Sequence, residues 1–176
     1  MQNKRVSLRA VEPSDIDFIY RLENDADNRS SSEQPEHVSR YVIEQYVLSI
    51  GDDLFSSGQM RMIIEVQQGT ENRPIGCIEL FDADAFHRRA GIGIYIIPDE
   101  QKKGYASEAL DLMIKYCFGT LGLHQLFCNI GEQNAASLRL FTKYGFQVIG
   151  LKKDWRYFNS AWHNEYMLQL INSNVR

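Results

Sequence analysis

The sequence predicts a mixed α/β (α+β) fold, a central sheet flanked by helices. Three observations point to it. Short apolar or alternating runs of strand length are interleaved with longer stretches whose apolar residues recur at helical spacing. The stretch Gly93 to Ala106 begins as an isoleucine-rich run and stops at Pro98, which has no N–H for a ladder; it then opens a helix at Gly104. Asn134 to Gly145 repeats the theme with an N-cap, an apolar stripe and a terminating glycine. The resulting order is β-α-α-β-β-β-α-β-α-β-β, a pattern that suits one sheet with helices packed on it.

Taken in order, Val6 to Val11 is the first strand. Ser14, with Asp17 three residues on, forms a capping-box pattern, and Ile16, Ile19, Tyr20 and Leu22 stripe the helix that follows. Glu23 to Pro35 is polar and aperiodic, a loop long enough to be more than a connector. Val38, Tyr41, Val42, Gln45, Tyr46 and Ser49 mark a second helix, and Gly51 to Gly58 reads as a turn-rich connection. Met60, Met62, Ile64 and Val66 alternate with polar residues, as in a half-buried strand. Gln68 to Pro74 reads as a turn and Ile75 to Phe81 as a strand. Ile75, Cys77, Glu79 and Phe81 share one face of it, because alternate residues point the same way. A carboxylate on that otherwise apolar face is either a strand-end group or a general base beside a cleft.

Asp82 to Phe86 is a loop and Ala90 to Ile97 the central strand. The helix after Gly104 carries Ala106, Ala109, Leu110, Met113, Ile114, Cys117, Phe118 and Leu121 at helical spacing, with Gly119 and Gly122 bracketing its end. Leu123 to Ile130 is a strand. Asn134 caps the next helix, whose inner stripe is Leu138, Phe141 and Tyr144. Phe146 to Leu151 and Glu165 to Ile171 are the last two strands, around a turn at Asn159 to Ala161. Trp155, Tyr157, Phe158 and Trp162 read as packing and cleft wall, and His124 and His163 as structural or surface residues.

The chain has 176 residues, room for a single domain spanning 1–176 with its own core. A net charge of −4 argues against general nucleic-acid binding. The start lacks the apolar core of a signal peptide and no run is long enough to span a membrane, so a cytoplasmic protein is expected. Cys77, Cys117 and Cys128 have no metal spacing and sit within apolar patterns, as buried free thiols in a reducing compartment do. No metal is expected.

The loop between the central strand and its helix has anion-binding character. Backbone N–H groups at a helix N-terminus point outward, the helix dipole adds partial positive charge, and Lys102 and Lys103 add full charges. Gly104 has no Cβ, so an anion such as a phosphate can approach closely. The stretch is neither a Walker loop nor a Gly-x-Gly-x-x-Gly fingerprint.

Gln101-x-x-Gly104-x-Ala106 after such a strand resembles the acetyl-CoA pyrophosphate loop of the GNAT acetyltransferases. Asn134-Ala-Ala-Ser-Leu-Arg-Leu-Phe-Thr-Lys-Tyr-Gly-Phe146 is similar to that superfamily's second signature. The resemblance covers nearly the whole chain and is strongest from about Ile75 to Ile149. It implies a mostly antiparallel sheet and transfer of an acetyl group from acetyl-CoA to a primary amine. The implied cofactor contacts are Gln101, Lys102, Lys103, Gly104, Tyr105 and Ala106 for the pyrophosphate and Tyr95, Ile96 and Ile97 for the thioester. Asn134 and Phe141 are implied further along the cofactor. Glu79, acting through water, is the implied base, because an alkylammonium with a pKa of about 10 cannot attack until it loses a proton.

Two positions depart from the family pattern. Phe141 stands where a tyrosine acid is common, leaving Tyr144, one helical turn on, as the candidate acid. A coenzyme A thiolate, with a thiol pKa of about 8.5, can leave without one. Gly91 stands where a glutamate often follows Arg-Arg-Ala, which shifts the role of base to Glu79. These two departures keep open an alternative, a catalytically weak acetyl-CoA-binding regulator or sensor. Within that superfamily the sequence resembles spermidine N-acetyltransferases and ribosomal-protein N-terminal acetyltransferases. The acceptor that this resemblance implies is a small amine or polyamine, or a protein N-terminus. The segment Glu23 to Pro35 would line the acceptor cleft, with Asp25, Asp27, Glu33 and Glu36 attracting a cation and Arg29 opposing it. The serines between Arg29 and Glu33, where aromatic residues often occur, argue against a polyamine specialist. A free edge strand would allow a homodimer.

Overall fold

The computed structural model describes residues 1, 5–25, 36–49, 53–68 and 71–173. Its strands are β1 (Val6–Ala10), β2 (Met60–Gln68), β3 (Glu71–Asp84), β4 (Arg89–Ile96), β5 (Gln125–Gly131), β6 (Gln147–Phe158) and β7 (Ala161–Ile171). Its helices are α1 (Ile16–Glu23), α2 (Arg40–Ser49), α3 (Leu54–Ser57), α4 (Tyr105–Gly119) and α5 (Ala135–Lys143). The strands form one sheet of seven, in the order β1-β2-β3-β4-β5-β7-β6. Every neighbouring pair is antiparallel except β4 and β5. The mixed, mostly antiparallel sheet flanked by helices is as expected.

Each face of the sheet has its own apolar layer. On one, Ala109, Leu110, Met113 and Cys117 of α4 pack with Ile64, Ile78, Leu80 and Ile92 of the strands. On the other, Ile19 of α1 and Ile43 and Val47 of α2 cover Ile63. Cover on both faces explains why β2 is not half-buried as its alternation suggests: Ile63, Ile64, Glu65 and Val66 are all buried. The buried Glu65 survives there because Arg9 donates to it at 2.7 Å and to Asp15 at 2.6 and 2.8 Å.

Several local expectations are corrected. The first helix is not capped by Ser14 and Asp17. A turn of 3-10 helix at Pro13–Asp15 precedes it, and the Asp15 carboxylate accepts from the Glu12 N–H at 2.8 Å. Tyr41 and Val42, read into the stripe of the second helix, are exposed; Ile43 and Val47 are the buried pair. The connection before Met60 contains α3, capped by Asp53, which accepts from Phe55 N at 2.9 Å. Pro74 lies inside β3, not in a turn. The register slips there, Ile64 facing Gly76 and Glu65 facing Pro74, so a residue without an N–H sits at a bulge. β6 runs on to Phe158, and its tight turn into β7 has positive φ at both Asn159 and Ser160. That extension places Trp155, Tyr157 and Trp162 on the surface at 57%, 61% and 61% exposure, not in packing.

What positions the site is the parallel pair. β4 and β5 are paired only over Arg89–Gly91 and Gln125–Phe127. Beyond Gly91 they part, β4 staying on β3 and β5 on β7. A cleft opens through the sheet between them.

Candidate active site

The cleft has a volume of about 800 Å³ and is lined from both sides of the parting strands. Its first wall is the loop after β4. Lys102 and Gly104 both adopt positive φ, 61° and 91°, and so turn the chain sharply into α4. Ser107 N and Glu108 N donate back to the Gly104 carbonyl at 3.1 and 3.3 Å. The N–H groups of Tyr105 and Ala106, one and two residues into the helix, lie ahead of the first intrahelical bond. Gln101 donates from Nε2 to the Ile96 carbonyl at 2.9 Å and so ties the loop to the end of the strand. Gln101, Lys102, Gly104, Tyr105 and Ala106 all line the cleft.

Lys103 does not line it. Its ammonium is 3.0 Å from Glu100, a buried carboxylate that Arg73 also contacts at 2.6 Å. Arg73 first, and Lys103 second, hold Glu100 below the usual carboxylate range. The only acid of this loop that faces the cleft is thereby neutralised.

Along β4, the register decides which N–H groups face the opening. Ile97 N donates to Ile75 O at 2.9 Å, and alternation then turns Tyr95 N–H toward β3 as well. The N–H groups of Ile94 and Ile96 therefore point to the side that β5 has left. Of the three residues expected to hold a thioester, Ile96 has this geometry. Tyr95 lines the cleft by its side chain, whose hydroxyl donates to Asp25 at 2.5 Å, and Ile97 is outside the lining.

Glu79 lines the opposite end, on the α1–α2 side. It stands between Arg61 on β2 and Gly93 on β4 in the register. Oε2 accepts from Arg61 Nη2 at 2.9 Å, and Oε1 lies over Gly93, 3.3 Å from where a Cβ would be. Arg61 also donates to Glu23, the last residue of α1, at 2.5 Å. Burial opposes the charge of Arg61, yet the Glu79 and Glu23 carboxylates packed around it help to outweigh burial and hold the guanidinium above its ordinary value. Burial pushes the neighbouring Cys77 thiol up to about 12, so it stays neutral near pH 7 and is no nucleophile.

Gly91 has a structural reason. A Cβ there would come within 2.3 Å of the Phe81 ring, which packs edge-on against Phe127. The place where a glutamate side chain would begin is filled by an aromatic ring from β3.

Asn134 lines the cleft and caps α5 as expected, its Oδ1 accepting from Ser137 N at 3.0 Å. Phe141 lines it from a buried position against Phe146. Tyr144 does not reach it. Its hydroxyl is 2.9 Å from Ser107 Oγ, on which Lys143 also donates at 3.0 Å, and its ring packs on the core. Ser107 is the member of this group that lines the cleft. The structure thus brings Glu79 and the loop into one cleft and leaves Tyr144 behind its wall.

Sequence reasoning missed Arg61, Arg156 and His163, all in the lining, whereas Glu23 belongs to the segment expected there. Arg61 was indistinguishable from a solvent-facing residue of an alternating strand. His163 stacks on Phe158 at 3.8 Å between centroids and is tied to Gln133, a pairing that depends on the β6–β7 turn. Of the acidic loop, Asp25 and Glu36 are described, while Asp27, Arg29 and Glu33 lie outside the described residues. Among the described residues no His, Cys, Asp and Glu side chains gather into a metal-binding group, and no helix is long and apolar enough to cross a membrane.

Comparison with known proteins bears on this geometry. Residues 5–147 match the acetyltransferase (GNAT) domain model. A spermidine N(1)-acetyltransferase of Vibrio cholerae is 27% identical over 172 residues, covering 97% of this chain and 95% of the relative. That of Escherichia coli K12 is 28% identical over 160 residues, covering 90% and 82%. Among solved structures, the Vibrio cholerae spermidine N-acetyltransferase in complex with CoA and spermine superposes with a TM-score of 0.88 at 26% identity, covering 97% of this chain and 98% of that one. A dodecameric structure of the Vibrio cholerae enzyme in an intermediate state gives 0.82 at 27% identity, covering 98% and 96%.

Proposed function

The chain belongs to the GNAT acetyltransferase family, and on that premise we propose that it acetylates a cationic amine of the polyamine class, with Glu79 as base. It is an acetyl-CoA-dependent N-acetyltransferase, and the sensor alternative has no support. The observation that carries the reading is the single cleft that joins the loop Gln101 to Ser107 to Glu79 where β4 and β5 part.

The loop fits a pyrophosphate. Tyr105 and Ala106 offer helix N-terminal N–H groups, Lys102 adds charge, and φ of 91° at Gly104 keeps the approach free of a side chain. Acetyl-CoA supplies an activated acyl carbon and a thiolate leaving group. Ile96 N–H, turned to the opening, donates to the carbonyl oxygen as charge develops there; one such donor is worth roughly 100- to 1000-fold in rate. Glu79 takes the amine proton through water, with Oε1 on the cleft side. The thiolate leaves without a tyrosine acid: Phe141 has no hydroxyl, and that of Tyr144 is engaged with Ser107. Asn134 and Phe141 border the donor's arm.

Two things support a polyamine rather than a protein N-terminus. The Vibrio cholerae and Escherichia coli relatives are spermidine N(1)-acetyltransferases. Among the described residues, Glu23, Asp25 and Glu79 gather three carboxylates around Arg61 on the α1 side of the cleft, which favours a multiply charged amine. We read the whole chain as one catalytic domain working in the cytoplasm. Self-association as a homodimer or a larger assembly would use the β6 edge, where Val148, Ile149, Leu151 and Trp155 are exposed.

Calorimetry with acetyl-CoA, followed by an amine panel with a thiol-release readout, tests the reading. Micromolar binding and release with spermidine or spermine are expected. Release only with N-terminal peptides would overturn the acceptor class, and no binding would overturn the loop assignment.

A further inference from the structure

We propose that Arg61 is the positioning residue of the acceptor wall: it clamps the Glu79 carboxylate in one orientation and anchors it to the end of α1, so that Oε1 meets the amine. The proposal rests on Glu79 being the base.

Three strands set the geometry. Arg61, Glu79 and Gly93 face one another across β2, β3 and β4, so their side-chain positions form one row on the same face of the sheet. Arg61 Nε and Nη2 both donate to Glu79 Oε2, at 3.2 and 2.9 Å. Oε1 is left pointing across the row into the space above Gly93. A carboxylate with both guanidinium contacts on one oxygen keeps the lone pairs of the other for a proton.

Arg61 is itself fixed. Its third donor goes to Glu23 at 2.5 Å, and the Tyr46 ring of α2 lies 5.3 Å from the guanidinium carbon. Its side chain is only 17% exposed. The three anchors come from α1, α2 and β3, the elements that frame the acceptor end. A guanidinium suits this task because its planar fork holds two carboxylates at set angles, whereas a lysine ammonium is a point charge. An isolated structural ion pair would need neither the shared oxygen nor the clear side at Gly93.

A structural role and a positioning role differ in one readout. A structural role acts on stability and is indifferent to Glu79. A positioning role acts on kcat and vanishes when the base is gone. Turnover, both KM values and thermal unfolding are therefore measured for wild type, Arg61→Lys, Arg61→Gln, Glu79→Gln and the double variants. Arg61→Lys is expected to lower kcat on the order of 10- to 100-fold, the loss that a misplacement of about 1 Å causes, with the acetyl-CoA KM unchanged. Arg61→Gln is expected to lose more. In the Glu79→Gln background, either change is expected to alter the residual rate by no more than about twofold, because coupled residues are not additive. Arg61→Gln leaves two carboxylates facing each other; if it does not fold, Arg61→Lys alone decides. Wild-type kcat in Arg61→Lys overturns the proposal, as does an equal loss in both backgrounds. Full turnover in Glu79→Gln would instead overturn the base assignment itself.

Discussion

Along the donor wall of the cleft, Gln101, Lys102, Gly104, Tyr105, Ala106 and Ser107 lie within one short stretch of chain, and the anion site proposed there rests mainly on backbone N–H groups and the turn at Gly104. Along the acceptor wall, Glu23, Arg61, Glu79 and Tyr95 come from α1, β2, β3 and β4, and their working parts are side chains. A backbone-built site needs only local conformation, so a few residues specify it. A side-chain-built site needs the strands in register and the helix end in place, so the whole fold specifies it. The difference predicts how each wall fails. Changes on the acceptor wall should act on kcat and the amine, and changes on the donor wall on acetyl-CoA.

The sharpest division comes from Glu79→Gln. Removal of a general base typically costs 100- to 10,000-fold, roughly 3–5 kcal/mol of barrier. Turnover is expected to fall by that order while calorimetric acetyl-CoA affinity stays within about twofold. A parallel loss of acetyl-CoA binding would break the separation of the walls.

Next in size is the support beneath the acceptor wall. Asp15 leads into α1, whose far end carries Glu23. Burial raises the pKa of Asp15, but the Arg9 guanidinium and the Glu12 N–H outweigh burial and hold it below the ordinary value. A depressed carboxylate contributes stability that is fully present above its unfolded pKa of about 3.9 and is lost as pH falls through the folded value. Asp15→Asn is therefore expected to lower stability by about 2 kcal/mol at pH 7, with Arg9 a third exposed and the pair discounted accordingly. Denaturant unfolding at several pH values checks it. The gap between variant and wild type should close below about pH 4. A constant gap would mean that Asp15 acts by packing alone.

The donor wall is broken by Gly104→Ala. An alanine at φ of 91° costs about 1–2 kcal/mol, and a surface loop relieves that by changing conformation. Acetyl-CoA affinity is expected to drop on the order of tenfold, and amine KM to hold. Sterics contribute little, since the nearest atom to a Cβ there is the flexible end of Arg5, at 3.2 Å.

The same contrast explains what could be read from the chain. The loop, the Asn134 cap and the buried stripe of α4 follow from neighbours in sequence, and all three are found where expected. The place of Glu79 in the cleft was legible because one carboxylate interrupted an apolar strand face. Arg61 was not, because an arginine on an alternating strand looks solvated until its cross-strand partner is known. Ile96 could not be separated from Tyr95 and Ile97, since which N–H faces the opening depends on the register of β4 with β3. Of the aromatic residues after Leu151, Phe158 lines the cleft as expected, while Trp155, Tyr157 and Trp162 are exposed for a related reason: β6 is an edge strand, and nothing local says that its outer neighbour is missing.

The smallest effect expected is at Tyr95, the point where the walls meet. Its ring lines the cleft on β4, the donor's strand, yet its hydroxyl donates to Asp25, just past the end of α1. Tyr95→Phe keeps the ring and removes a hydrogen bond to a charged group, worth about 1 kcal/mol once partial exposure is allowed for. If Tyr95 serves the acceptor wall through that hydroxyl, amine KM should rise roughly fivefold with acetyl-CoA KM unchanged. Steady-state kinetics with each substrate varied in turn decides it. A rise in acetyl-CoA KM instead would put the boundary between the walls one residue earlier on β4, at Ile94.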